Sequence, residues 1–164
     1  MAAAENRHTD PIEAARRGQN PTVLRRLRSG WAVTGDHQRL PGYCLLLHDG
    51  DADHLTDLPR PQRAVFLEDL ALLGEAVMAA CTRLDSQLWR INYEVLGNAF
   101  PRLHGHVFPR YLWEPDEMRR APVWHYPDLH DPRHELGPQH DRLRAALVEA
   151  LDEIALAPPP SASA

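Results

Sequence analysis

Two histidines stand two residues apart in the run Arg102-Leu-His-Gly-His-Val-Phe-Pro-Arg110. In an extended segment alternate residues leave the same face, so His104 and His106 share one surface with Arg102 and Phe108. Leu103, Gly105 and Val107 point the other way, and a glycine inside a strand marks close approach by a ligand or another backbone. A neutral imidazole can attack a phosphorus atom, and a second imidazole beside it can donate to the phosphate oxygens. Histidine, with an unperturbed pKa of roughly 6.5, can do either near neutrality. An arginine on that face would add a planar fork of donors suited to phosphate. Two other readings fit the same spacing. The pair can be two ligands of a metal site, or a polar strand face with no chemistry.

Other polar residues carry weaker signals. His125, His130, His134 and His140 interleave with Asp128, Asp131 and Glu135, but their spacings fit no compact zinc set and no cysteine joins them. A solvated loop is expected there and no metal is assigned. Trp113 and Trp124 are candidates to cover a ligand or to pack against a second copy.

The elements that must position the pair follow from periodicity. Residues 31–34 and 43–47 read as strands, the second apolar enough to be buried on both faces. A turn over 35–39 joins them. Asn20-Pro21 reads as the start of a short helix carrying Val23, Leu24 and Leu27. From Pro61 the apolar positions Val65, Leu67, Leu70, Leu72, Leu73, Val77 and Cys81 recur at helical spacing, predicting one long helix ending near Leu84. Residues 88–95 form a third strand with Leu88, Arg90, Asn92 and Glu94 on one side. Residues 103–108 form a fourth, ended by Pro109. Residues 111–137 lack periodicity and read as a long loop. Residues 139–154 predict an amphipathic C-terminal helix. This order implies an α+β domain with a mainly antiparallel sheet. The domain is expected over 21–156, with a flexible segment before it (1–20) and a disordered tail after it (157–164).

Composition narrows the class. The chain has 164 residues and a net charge of −5, and all 18 of its basic residues are arginine. That acidity argues against binding a long nucleic-acid backbone but leaves a small phosphorylated ligand open. No apolar run reaches the roughly 20 residues needed to span a bilayer, and no signal peptide is evident. With only Cys44 and Cys81 present and no paired spacing, a cytoplasmic location is expected.

The longer run Arg90-Ile-Asn-Tyr-Glu-Val-Leu-Gly-Asn-Ala-Phe-Pro-Arg-Leu-His-Gly-His-Val-Phe-Pro-Arg110 resembles the signature of the histidine triad superfamily. The resemblance continues through Trp31-Ala-Val-Thr-Gly-Asp36, Leu40-Pro-Gly-Tyr-Cys-Leu-Leu-Leu47 and the long helix. Pro122-Val-Trp124 looks like a feature of a bacterial branch, one resembling diadenosine polyphosphate hydrolases. The resemblance implies a sheet of about five strands and, commonly, a homodimer. It implies a hydrolase or transferase acting at the α-phosphorus of a dinucleoside polyphosphate, nucleoside phosphoramidate or adenylated small molecule, with no cofactor. His104 occupies the position of the nucleophile that forms a nucleotidyl-histidine, and His106 that of the phosphate-oxygen donor. Asn98 and Asn92 match amide positions at the phosphate. Trp31, Val33, Asp36 and Leu40 match the nucleoside pocket, with Asp36 toward the ribose. Two positions depart from the pattern: Arg102 replaces the first triad histidine, and Tyr43 replaces the histidine after Pro-Gly. A phenol can donate a hydrogen bond but cannot shuttle protons near neutral pH. These departures keep open a nucleotide-binding protein without turnover, and the strand pair keeps open a zinc protein.

Overall fold

The computed structural model describes residues 10–156. The expectations for residues 1–9 and for the tail at 157–164 lie outside the described residues. Strands β1 (Val23–Arg26), β2 (Gly30–Thr34), β3 (Cys44–His48), β4 (Leu88–Glu94) and β5 (His104–Tyr111) form one antiparallel sheet in the order β1-β2-β3-β5-β4. The helices are α1 (Pro11–Arg16), α2 (Arg60–Leu84), α3 (Asp116–Arg120) and α4 (Asp141–Leu156). This is the α+β architecture that the alternation of apolar periods implies, with its long helix and its C-terminal helix. None of the described helices is long and apolar enough to cross a membrane.

The two sheet faces have different jobs. One carries Ala32, Cys44, Leu46 and Val107, which pack in a single apolar cluster with Phe66, Leu70, Leu73 and Val77 of α2 and Leu147 and Leu151 of α4. The i, i+4 and i, i+3 spacing of those α2 residues puts them on one stripe of the helix. Gly105 lies on this face too. A Cβ there would sit 2.7 Å from Leu70 Cδ1, so the glycine lets β5 lie directly against α2. The opposite face carries Val33, Leu45, Leu47, His104, His106 and Phe108, placed across from one another by the strand registers. Its two ends are roofed. Ile12 of α1 packs on Val33 and Leu47, and Val123, Tyr126 and Leu129 pack with Phe108 and Leu40. The two imidazoles sit between these roofs.

Four expectations are corrected. Residues 23–26 are an edge strand rather than a helix, because the Asn20 carboxamide oxygen takes the Thr22 N–H (3.0 Å) and hydroxyl (2.6 Å). That local turn points the chain into pairing with β2 instead of capping a helical turn. Residues 10–20, read as flexible, are ordered: Asp10 caps α1 by accepting from the Glu13 N–H at 2.9 Å, and Ile12, Ala14 and Ala15 are buried. β5 runs through Pro109 to Tyr111, since pairing with β3 stops at Val107 and a missing N–H beyond it removes no bond there.

The fourth correction concerns residues 111–137, which pack rather than loop freely. The buried Arg110 guanidinium donates to both Glu114 carboxylate oxygens (2.8–3.1 Å) and to the carbonyls of Met118 (2.6 Å) and Ala121 (3.0 Å). Glu114 also accepts from the Tyr111 N–H and the Tyr126 hydroxyl. One buried ion pair thus ties the segment to the end of β5.

Candidate functional site

β5 aims both imidazoles out of the sheet on the face that the helices leave open. They are 7% and 6% exposed, with ring centres 4.8 Å apart. His104 Nδ1 lies 2.7 Å from the Arg102 carbonyl oxygen. A carbonyl only accepts, so Nδ1 holds the proton and Nε2 keeps its lone pair. His106 Nδ1 lies 2.8 Å from the Tyr43 hydroxyl. Burial raises the phenol far above its ordinary pKa, so it stays protonated and is able to donate to that nitrogen. With the phenol donating, His106 carries its own proton on Nε2. In that arrangement the pair presents one nucleophilic nitrogen beside one N–H donor. Burial also lowers both imidazole pKa values. That of His106 falls to about 4 through desolvation first and the neighbouring His104 second. Both rings are neutral at pH 7.

Around His106 the aromatic packing is dense. Its ring stacks parallel to Phe108 at 5.8 Å, and the Trp124 indole meets it edge-on at 5.2 Å. Glu94 lies across from His106 on β4 and accepts from the Trp124 indole N–H. Sequence reasoning placed Glu94 on the right side of its strand and gave it no role. Its alternation with Asn92 was the available signal. Asn92 lies across from Phe108, one pair further from His104, while Asn98 is exposed between β4 and β5.

Two cavities open on this face. The first, of about 210 Å³, is lined by His104, Val33, Leu47, Phe100, Asn20 and Thr22, among others. The second, of about 200 Å³, is lined by Tyr43, Phe108, Trp124, Leu129, His37 and His130. Asp36 and Leu45 border both cavities, and His104 lines the first. Val33 and Asp36 thus fall where the nucleoside pocket was expected. Trp31 lines neither cavity: it packs with Ile12, Val33 and Leu47 beneath the Arg26 guanidinium. Leu40, 2% exposed, belongs to the core with Phe108 and Val123. Asn20, Thr22 and Phe100 were missed, because only the packing of α1 and β1 brings the first two to this face. Arg102 precedes β5, and its guanidinium binds the exposed Asp51 at 3.1 Å rather than lining either cavity. Among the described residues no group of three or more His, Cys, Asp or Glu side chains could hold a metal ion.

The backbone matches that of several solved proteins. A histidine triad protein from Marinobacter aquaeolei has a TM-score of 0.63 at 21% identity, over 80% of this chain and 89% of that one. One from Bradyrhizobium japonicum has a TM-score of 0.64 at 20% identity, over 84% and 95%. A hypothetical histidine triad nucleotide-binding protein from Sulfolobus tokodaii has a TM-score of 0.64 at 12% identity, over 87% and 91%. The chain has the histidine triad fold. No protein-family model matches the sequence, and no curated protein matches it. Here β5 carries His104 and His106 with Arg102 just before it; His104 lines the first cavity, and His106 packs against Tyr43, Phe108 and Trp124, which line the second.

Proposed function

We propose that the chain is a nucleotide-binding member of the histidine triad superfamily that cleaves nucleotides at the α-phosphorus through a nucleotidyl-histidine. The observation carrying this reading is the buried pair of imidazoles with ring centres 4.8 Å apart, the His104 Nδ1 held at the Arg102 carbonyl and the His106 Nδ1 at the Tyr43 hydroxyl, which leaves both Nε2 atoms for a ligand. His104 Nε2 forms the bond to phosphorus as the bond to the leaving group breaks and that group departs with the electron pair, a polyphosphate as the anion and an amine after taking a proton from solvent. The imidazole becomes cationic without moving a proton, and the Arg102 carbonyl, already accepting from Nδ1–H, stabilises that charge. The His106 N–H donates to a non-bridging phosphate oxygen. Water then attacks phosphorus and gives up a proton to solvent as the P–N bond to His104 breaks, which releases the nucleoside monophosphate and returns the electron pair to Nε2. The nucleoside occupies the first cavity, with Asp36 at the ribose, and Asn92 and Asn98 assist at the phosphate.

The substrate class extends from dinucleoside polyphosphates, as in the diadenosine polyphosphate hydrolases, to phosphoramidates and adenylated small molecules. The working unit is a cytoplasmic homodimer joined along β4, one of the two edge strands, where Trp89 and Tyr93 are exposed. His104→Ala should lower turnover by several orders of magnitude, and acid-free trapping should recover nucleotide on the parent chain alone. Equal turnover by the variant rules the mechanism out. The diversion of Arg102 to Asp51 favours a second reading, a nucleotide binder without turnover. That reading predicts AMP binding by calorimetry with no product from any of the three substrate types.

A further inference from the structure

The second cavity is closed by Trp124, Leu129 and His130, which the proposed reaction does not use, and its wall is largely aromatic. Three aromatic rings, Tyr43, Phe108 and Trp124, form its wall with Leu45 and Leu129. Tyr43 and Phe108 stack at 4.1 Å, and Trp124 meets Phe108 edge-on at 5.4 Å. His37 and His130 sit edge-to-face at 5.1 Å, so their ring surfaces also border the space. The volume, about 200 Å³, exceeds the roughly 150 Å³ that accommodates a benzene ring in an apolar site. It shares Asp36 and Leu45 with the first cavity, and its Tyr43, Phe108 and Trp124 all pack against the His106 ring.

Charge restricts the occupant further. No arginine lines this cavity. Arg39, on the adjoining turn, is held by Asp128 at 3.0 Å and lies over the Tyr126 ring, and Arg110 is sequestered by Glu114. Glu94 adds a carboxylate where Trp124 approaches His106. A polyphosphate needs cationic forks or metal ions to neutralise it, and the described residues offer none of these forks here.

We infer that this cavity receives the leaving group of the substrate and selects an aromatic ring bearing no negative charge. The inference rests on the nucleotidyl-transfer reading above and refines it against a polyphosphate leaving group. The test uses adenosine 5′-phosphoramidates of 2-phenylethylamine and of n-propylamine, which share the scissile P–N bond and differ by the ring, with diadenosine tetraphosphate alongside. The phenylethyl compound should show a kcat/KM at least tenfold above the propyl compound and above diadenosine tetraphosphate. Trp124→Ala should collapse the ratio between the amidates toward unity, and Trp124→Phe should retain most of it. Cleavage of both amidates at similar rates, an undiminished ratio in Trp124→Ala, or preference for diadenosine tetraphosphate would overturn this inference and leave the His104 mechanism standing. AMP binding with no His104-dependent cleavage of any of the three overturns the mechanism, and this inference falls with it.

Discussion

Replacing Glu114 with glutamine isolates the ion pair that fastens residues 111–137 to the site strand. Arg110 and Glu114 are 1% and 3% exposed, so neither charge has water to fall back on. The substitution preserves shape while removing the negative charge. It also turns one acceptor into an NH₂ group, and in either amide orientation that group faces donors. One carboxylate oxygen accepts from Arg110 Nε and the Tyr111 N–H, the other from Arg110 and the Tyr126 hydroxyl. A guanidinium left buried without its counter-charge costs about 3–5 kcal/mol. For a chain of this size that corresponds to a fall in Tm of roughly 6–20 °C, at about 2–4 °C per kcal/mol. Calorimetry and urea unfolding of parent and variant side by side measure it. A loss below about 1 kcal/mol would refute the reasoning, because the pair would then be solvated or its charge replaceable.

Four further outcomes follow from the site. Burial holds the folded-state pKa of His106 at about 4 and lowers that of His104, against about 6.5 in an unfolded chain. The unfolded chain therefore binds protons first, and the stability tied to these rings is complete above about 6.5 and lost as pH falls toward about 4. The acid limb of kcat/KM should likewise lie below 6.5, and a limb at or above that value contradicts the buried-neutral assignment. Tyr43→Phe keeps the stack on Phe108 and removes the donor to His106, so kcat/KM should fall about three- to tenfold. Parental kinetics in that variant would show that the phenol does not set the tautomer. Arg102→Ala should change kcat/KM less than about threefold, since the guanidinium is spent on an exposed partner. A hundredfold loss would place it at the phosphate instead.

Periodicity made much of the frame legible. The long helix, the strand pair bearing Trp31 and Leu45, and the alternation that puts His104 and His106 on one face all follow from spacing. Where it failed, a side chain or a distant partner decided. Asn20 could equally begin a helix or bend into a strand, and only its bonds to Thr22 settle which. Pro109 reads as a stop unless β3 is known to end before it. Residues 111–137 show no period because irregular segments are held by single contacts, here Arg110 with Glu114, which composition cannot reveal. Within the site, the histidines were visible as a pattern. Their tautomers were not, since those depend on a carbonyl two residues away and a phenol on another strand. Leu40 and Trp31 matched pocket positions, yet Leu40 packs in the core and the half-buried Trp31 lies against Ile12, Val33 and Leu47.

Gly105 gives the site a mechanical property. With nothing between the backbone of β5 and Leu70 of α2, the strand rests on the helix as on a bearing surface, with no compliant layer beneath the two imidazoles. Phosphoryl chemistry tolerates little play, as a displacement of about 1 Å can cost about a hundredfold in rate. The position of His104 and His106 is therefore set from the far side, by how closely α2 can approach the back of β5.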